Sequence, residues 1–214
     1  METIAVIDFE TTGISPQQGA RATEIAVALV RGGNIVGRYQ SLMRSGAWVP
    51  PFIQQLTGIS NQMLAAAPPA EVVMREVSEF VGATPLAAHN AAFDRGFWHA
   101  ERQRAGCTSA ADAPFFVCTL LLSRRLYEEA PNHRLGTLAQ WHQLPETGRS
   151  HRALADAEMA AHLLARVQRD VERRYASAMP ETGATHGLLL ALQRAHRKAL
   201  ARCVAEFAAP VGLA

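Results

Sequence analysis

The sequence predicts a mixed α/β fold in which a single sheet contains parallel and antiparallel strands. Residues 4–7 form a continuous apolar run, which is typical of a strand buried on both faces. The runs EIAVALV and NIVGRYQSLM follow, joined across Gly32, Gly33 and Asn34, and these turn residues predict an antiparallel hairpin. Short strands then alternate with helical patterns, which favours parallel pairing in the rest of the sheet.

The remaining elements follow from apolar spacing and from residues that begin or end helices. Val73 and Val77 recur at helical spacing opposite Glu71 and Arg75, which predicts an amphipathic helix. Asn90 is expected to cap the N-terminus of a later helix. The predicted elements are a strand over 3–9, a loop with short helical turns over 48–66, short strands at PLAAH and FFVC, and helices over 70–81, 91–105, 119–127, 135–143, 152–175 and 184–208.

Bulk composition predicts one sizeable core in an intracellular protein. The 214 residues are 49% hydrophobic, enough for one core with an appendage. SAMPETG interrupts the helical pattern, so we expect a domain over 1–175 and a C-terminal helical extension over 176–214. The three cysteines form no zinc-finger pattern and no apolar run approaches the roughly 20 residues of a membrane span. A cytoplasmic protein without a membrane partner is therefore expected.

Acidic residues occur where buried strands end. Asp8 and Glu10 finish the first strand and, because side chains alternate, point to the same side of it. Asp94 follows the PLAAH strand, and ligands of open α/β sheets bind at the carboxyl ends of strands. Asp156 is expected on the long helix, with His151 on the loop before it. Alone, Asp8 and Glu10 are equally well explained as a solvated strand end, and Asp94 and Asp156 are better explained as acids in the first turn or on the solvated side of a helix. Together, the four favour one site.

Such a site suits hard divalent cations. Carboxylate oxygens are the preferred ligands of Mg²⁺ and Mn²⁺, and two ions about 4 Å apart can activate a water for phosphoryl displacement. A neutral His151 is suited to accept the proton of that water. The net charge of +2 is too small to predict nucleic-acid binding by itself.

Three motifs carry a family resemblance. IDFETTG, AHNAAFD and HRALADA resemble, in this order, the motifs of DnaQ-like exonucleases of the DEDDh subgroup, 3′-to-5′ enzymes typified by the proofreading epsilon subunit of bacterial DNA polymerase III. LTGIS resembles their substrate loop. The resemblance covers about residues 3–167 and implies a ribonuclease H-like fold, with a five-stranded mixed sheet whose second strand is antiparallel to the others.

The resemblance also implies roles for individual residues. Two divalent metal ions, Mg²⁺ or Mn²⁺, would be held by four carboxylates, and His151 would be the general base. The implied metal ligands are Asp8, Glu10, Asp94 and Asp156, and the implied substrate contacts are Phe9, Thr11, Thr12, Leu56, Ile59, Asn90 and Phe93. Many members have Asp-Thr where this chain has Cys118 and Thr119, a departure expected to change packing and to leave activity intact.

The expected function is metal-dependent 3′-to-5′ hydrolysis of phosphodiester bonds. The substrates would be 3′ ends of single-stranded or frayed nucleic acid, with DNA expected and RNA left open, and the products nucleoside monophosphates. A DNA polymerase subunit is a candidate partner. The alternative is a non-catalytic nucleic-acid-binding or polymerase-associated docking subunit on the same fold.

The C-terminal segment and the tryptophans leave further alternatives open. Leu188, Leu192, Ala195, Ala199, Cys203 and Phe207 recur at helical spacing. Docking of this apolar face on the chain's own domain is favoured over contact with nucleic acid or with a partner, such as a second copy in a homodimer. Trp48, Trp98 and Trp141 are expected in the core rather than as base-stacking platforms.

Overall fold

A five-stranded sheet organises the chain in the computed structural model, which describes residues 1–107 and 115–209. The spatial order is β3-β2-β1-β4-β5. Strand β2 is antiparallel to its neighbours β1 and β3, whereas β4 and β5 continue parallel to β1. This topology confirms the mixed sheet with an antiparallel second strand. The strands are β1 Thr3–Thr11, β2 Ala22–Arg31, β3 Asn34–Leu42, β4 Leu86–Ala88 and β5 Val117–Cys118.

The hairpin between β2 and β3 forms where the sequence predicts it. Arg31 pairs with Asn34, and the two turn residues Gly32 and Gly33 have φ values of 58° and 80°. Both values lie in the left-handed region, which costs glycine little because it has no Cβ. The tight turn thus sets the register of two strands.

Nine α-helices are present in the described residues. The predicted amphipathic helix is confirmed, with Val73 and Val77 buried and Glu71 and Arg75 exposed. The helices are α1 Pro51–Thr57, α2 Asn61–Ala66, α3 Ala70–Val81, α4 Ala91–Arg104, α5 Thr119–Leu126, α6 Leu135–Trp141, α7 Ala153–Arg174, α8 His186–Arg194 and α9 Leu200–Ala208.

The sheet is covered on both faces. Ile4 and Val6 pack on one side, in the core shared with α7 and α8, whereas Ala5, Ile7 and Phe9 pack on the other side, in the core shared with α3 and α4. Because side chains of a strand alternate between faces, two cores require the unbroken apolar run seen in β1. The same alternation directs Asp8 and Glu10 toward the α7 side.

The prediction of one helix over 184–208 was wrong. The helix ends at Arg194, and Ala195 and His196 are extended, with ψ values of 149° and 139°. The Arg125 Nε donates to the Ala195 carbonyl at 2.9 Å, so the freed helix end keeps a hydrogen-bond partner. Turning here lets α9 bury its own apolar side, because Leu200 joins the core that α8 already occupies.

The C-terminal helices pack directly on the sheet domain. Leu188, Leu192, Leu200 and Val204 lie in the same core as β1 and α7, which supports docking of this segment on its own chain. The division into a domain over 1–175 and a separate extension stays a prediction.

Local packing corrects two further expectations. Trp98 is buried as expected, but Trp48 and Trp141 are exposed, so their assignment to the core was wrong. Asn90 does precede α4, yet its backbone is left-handed, with φ 65°, and its side chain accepts no helix N–H. Asn90 thus occupies the predicted N-cap position, but without a side-chain capping hydrogen bond.

No helix in the described parts of the chain combines the length and hydropathy that crossing a bilayer requires.

Candidate active site

The carboxyl end of β1 gathers acids from both faces of the sheet. Asp8 and Glu10 lie on β1 opposite Ala26 and Glu24 of β2. Asp94 lies in the first turn of α4, is only 2% exposed, and accepts the backbone N–H of Phe9 through Oδ1 at 3.2 Å. This hydrogen bond ties α4 to the residue between Asp8 and Glu10, so the carboxylate of Asp94 reaches the end of β1.

The N-terminus of α7 supplies the other two predicted residues. Asp156 lies in the first turn of α7, and its Oδ2 accepts the backbone N–H of His151 at 2.9 Å. His151 has a φ of 60°, an uncommon conformation for a residue with a Cβ. One potential ligand atom from each of Glu10, His151 and Asp156 lies within 4.8 Å of the others. The loop before α7 thus places the imidazole beside the carboxylates.

The carboxylates lack enough positive charge to balance them. Burial and the neighbouring charges of Asp94 and Asp156 raise the pKa of Asp8 well above its usual value. Burial, together with Asp156 and Glu24, raises the pKa of Glu10 to about 8, against an opposing effect of Arg152. The pKa values of Asp94 and Asp156 are raised chiefly by burial, although a backbone N–H bond to each works against the rise. The cluster therefore favours either protonation of its carboxylates or the binding of cations.

Glu24 and Arg152 belong to the site but were missed by sequence reasoning. The side chain of Glu24 is fully buried. It accepts Arg152 Nη2 at 2.7 Å, Arg152 Nε at 3.1 Å and the backbone N–H of Ala153 at 3.0 Å. Burial alone would raise the pKa of Glu24, but the guanidinium and the N–H bonds outweigh it and lower this pKa. Glu24 thus anchors the N-terminus of α7, which carries Asp156, to β2.

A signal for Glu24 was present in the sequence. Glu24 begins the apolar run EIAVALV, and an acid on a buried strand needs a partner. The partner could not be inferred, because Arg152 lies 128 residues away in the chain and the sequence does not indicate which of its many arginines pairs with Glu24.

Several predicted substrate contacts hold the turn after β1 in place. The Phe9 side chain is buried, with its ring 6.3 Å from that of Phe97, and its N–H is engaged by Asp94. Thr11 Oγ1 donates to the Gly13 carbonyl at 2.6 Å, and Thr12 Oγ1 accepts the N–H of Arg21 at 3.0 Å. These bonds order the turn beside the carboxylates, and contact with substrate stays a prediction for Phe9, Thr11 and Thr12.

The other predicted contacts differ in accessibility. Leu56 is 47% exposed, whereas Ile59 is fully buried against Val49 and Leu64, so Ile59 presents no side-chain surface for a nucleotide. Asn90 lines a cavity of about 230 Å³ with Arg95 and Arg124. Phe93 is half-buried, with its ring 4.9 Å from that of Phe97. The substrate roles of Leu56, Asn90 and Phe93 stay predictions.

Cys118, the departure from the family pattern, lies outside the carboxylate cluster. Its side chain is buried in the core on the α3 and α4 side, and its N–H donates to Gln193 Oε1 of α8 at 2.7 Å. The neighbouring Thr119 Oγ1 is 2.9 Å from His89 Nδ1. Packing and hydrogen bonding thus account for both residues.

Comparison with known proteins places this arrangement in a family. The profile of the Exonuclease family matches residues 5–164. A DNA polymerase III PolC-type protein of Bacillus subtilis is 35% identical over 193 residues, which are 90% of this chain and 13% of that protein. The 3′-5′ exonuclease DinG of the same organism is 37% identical over 154 residues, 72% of this chain and 16% of that protein. The chain thus spans less than a fifth of the length of these relatives.

Solved structures agree in fold. Exonuclease X in complex with 5′ overhanging duplex DNA is 27% identical, with a TM-score of 0.61 over 78% of this chain and 91% of that chain. The nuclease domain of 3′hExo, a DEDDh family member bound to rAMP, is 20% identical, with a TM-score of 0.67 over 79% and 92% of the two chains. Because the matched profile covers more than half of the chain, the chain belongs to the exonuclease family, and its fold agrees with that of a DEDDh family member.

Proposed function

We propose that this protein is a metal-dependent 3′-to-5′ exonuclease that releases nucleoside monophosphates from unpaired 3′ ends. The observation that carries the proposal is the group of four partly or fully buried carboxylates at the carboxyl end of β1, two of which, Glu10 and Asp156, lie beside His151. Such a group costs folding free energy when it is charged and unoccupied. A purely structural or docking role gives no reason to keep this cost.

The residues present fit divalent metal ions. All four acids offer oxygen ligands, which Mg²⁺ and Mn²⁺ prefer. Burial and neighbouring negative charge raise the pKa values of Asp8 and Glu10, and a bound cation would offset this effect. Asp8, Glu10, Asp94 and Asp156 would hold the ions, two in number as in related phosphoryl-transfer sites. When bound, the ions supply an activated water and stabilise the negative charge that develops on the phosphate.

The side chains of the chain itself would position the water and move its proton. His151 is exposed on the loop before α7, where its imidazole can accept a proton and pass it to solvent. The bond from its N–H to Asp156 ties the base to a metal-ligand carboxylate. The turn that Thr11 and Thr12 order would contact the terminal nucleotide beside Phe9.

The proposed substrate is a DNA strand with an unpaired 3′ end. PolC-type DNA polymerase III and DinG are similar in sequence to this chain, and Exonuclease X is described in complex with DNA. This similarity favours DNA over RNA and makes a DNA polymerase subunit a candidate partner. A homodimer through α9 remains an alternative for the exposed side of that helix.

Incubation with 5′-labelled single-stranded DNA and Mn²⁺ tests the proposal. A ladder of shortened labelled strands that disappears with chelator is expected, with mononucleotides as the other product. Matched RNA and DNA oligonucleotides run in parallel would decide substrate preference. Label released first as a mononucleotide would contradict the 3′-to-5′ direction, and strands that stay full length would support the docking alternative.

His151 is tested separately from the metal ligands. His151→Ala should lower kcat by about 10²- to 10⁴-fold, the usual contribution of a general base, while Mn²⁺ binding by calorimetry is retained. An unchanged rate across neutral pH would mean that another group accepts the proton.

A further inference from the structure

An exposed apolar surface lies on α1 and in the segment just before it. Trp48, Phe52 and Leu56 are 65%, 67% and 47% exposed, and we call these three residues the α1 surface. Phe52 and Leu56 are four residues apart on α1 and so lie on one side of it. The opposite side of α1 already packs inward, where Ile53 contacts the small core of Val49 and Ile59.

Strand pairing places α1 near the acids. Glu10 lies opposite Glu24, and Glu24 lies opposite Leu42, so these three residues form one row across β1, β2 and β3. Neighbouring strands are about 4.8 Å apart, which puts Leu42 roughly 10 Å from Glu10. Leu42 packs against the small core beneath α1. The helix therefore stands within a few nucleotide lengths of the metal ligands.

A second contact joins α1 to the His151 loop. The guanidinium of Arg149 lies against Gly58, where an added Cβ would come within 2.7 Å of Nη1. Gly58 ends α1, and Arg149 precedes His151 by two residues. The α1 surface and the base thus border the same side of the site.

The chemistry of this segment suits nucleobases rather than phosphates. No Asp, Glu, Lys or Arg occurs between residues 45 and 70, so the segment neither repels a polyanion nor pairs with its charges. Exposed Arg44 and Arg149 flank it and can contact phosphates. Flat aromatic side chains stack on bases of any sequence.

We propose that Trp48 and Phe52 stack on bases of the unpaired strand several nucleotides away from the bond that is cleaved. This inference rests on the proposed function, because a strand passes along α1 only when its 3′ end is bound at the carboxylates. It assigns the surface to single-stranded nucleic acid, since bases held in a duplex are not free to stack on it. Trp48 and Phe52 would therefore set substrate affinity and leave the chemical step unchanged.

A pair of substrates of different length tests the inference. Trp48→Ala and Phe52→Ala should each raise KM for an oligothymidylate by about 5- to 100-fold with kcat retained. Both variants should hydrolyse the p-nitrophenyl ester of thymidine 5′-monophosphate at the wild-type rate, because this ester is too short to reach α1. Trp48→Phe should restore most of the affinity. Phe207→Ala, which removes an exposed aromatic ring on α9, is the matched control and should change neither substrate.

Three results would overturn the inference. The first is an unchanged KM in both variants, and the second is an equal loss of activity on the oligonucleotide and on the ester. The third is self-association that depends on Trp48 when KM does not, because this result would assign the surface to a second copy of the chain. If wild-type protein cleaves neither substrate, the proposed function has failed. Stacking is then decided by oligothymidylate quenching of tryptophan fluorescence, which must occur in the wild type and decrease in Trp48→Phe.

Discussion

Two sets of acids in this protein differ in how fully hydrogen-bond donors and cations compensate their charge. Glu101 is buried, but Arg21 Nε and Nη2 bind its two carboxylate oxygens at 2.8 and 2.9 Å, and the N–H of Ala22 binds it at 3.2 Å. Asp170 is likewise bound by Arg166, Arg173 and the hydroxyl of Tyr127. Burial would raise the pKa of Asp170, but these donors lower it.

The acids at the end of β1 receive few such donors. Asp94 and Asp156 each accept a backbone N–H, and Asp8 and Glu10 have raised pKa values. The fold therefore pairs its structural carboxylates and leaves those of the site short of positive charge. This contrast teaches that under-compensated charge, rather than acid content, distinguishes the candidate metal centre.

The largest expected effect comes from a site carboxylate. Asp156→Asn should abolish cleavage, because the amide cannot replace a charged metal ligand, while its oxygen can still accept the His151 N–H. Without metal, the variant should melt about 2 to 4 °C higher than wild type, the shift that about 1 kcal/mol produces in a chain of this size. The reason is that one of several like charges, on a half-buried side chain, has been removed. Calorimetry in chelator measures the shift. Wild-type cleavage activity in the variant would contradict the assignment of Asp156 to the site.

A structural acid should behave in the opposite way. Glu101→Ala should lower the free energy of unfolding by about 3 kcal/mol, because the guanidinium of Arg21 loses its partner, whereas kcat of the folded protein stays unchanged. Denaturant titration provides the measurement. Glu158→Ala, which removes the partner of exposed Arg38, is the control and should cost less than about 1 kcal/mol. A loss of kcat without a loss of stability in Glu101→Ala would contradict the distinction between structural acids and site acids.

Glu24 lies between the two sets, since it is paired but supports the site. Glu24→Gln keeps an oxygen for the Ala153 N–H and loses the charge that holds Arg152. We expect activity and Mn²⁺ affinity to fall by about 10-fold, the low end of effects for residues that orient metal ligands. Manganese titration followed by electron paramagnetic resonance reports binding without turnover. If stability falls while Mn²⁺ affinity is unchanged, Glu24 is structural only.

The last expected effect is on the pH dependence of stability without metal. The pKa of Glu10 is raised in the fold from an ordinary 4.5 to about 8, so its contribution to stability is present below about pH 4.5 and is lost as pH rises through about 8. The slope of unfolding free energy against pH should become flatter in Glu10→Gln and in saturating Mn²⁺. Equal slopes for wild type and Glu10→Gln in chelator would show that Glu10 is not under-compensated.

Much of the fold could be predicted because the relevant signals are local. The apolar run of β1, the Gly32-Gly33 turn and the periodicity of α3 depend on neighbouring residues, and each element formed where expected. The helix break after Arg194 had no local signal such as glycine or proline. At the break, Arg125 from another helix donates to the Ala195 carbonyl, a contact between residues 70 apart in the chain.

The sequence by itself was enough to predict a mixed sheet, the burial of β1 on both faces, and the acids and histidine of the candidate site. Residue types and short-range periodicity carry this information, because they decide which side chains tolerate water. Only the tertiary structure decided that Glu24 anchors Arg152, that Ile59 is buried and that Trp48 and Phe52 are exposed. These outcomes depend on which distant segments meet, and many pairings of arginines with acids are compatible with the same local pattern.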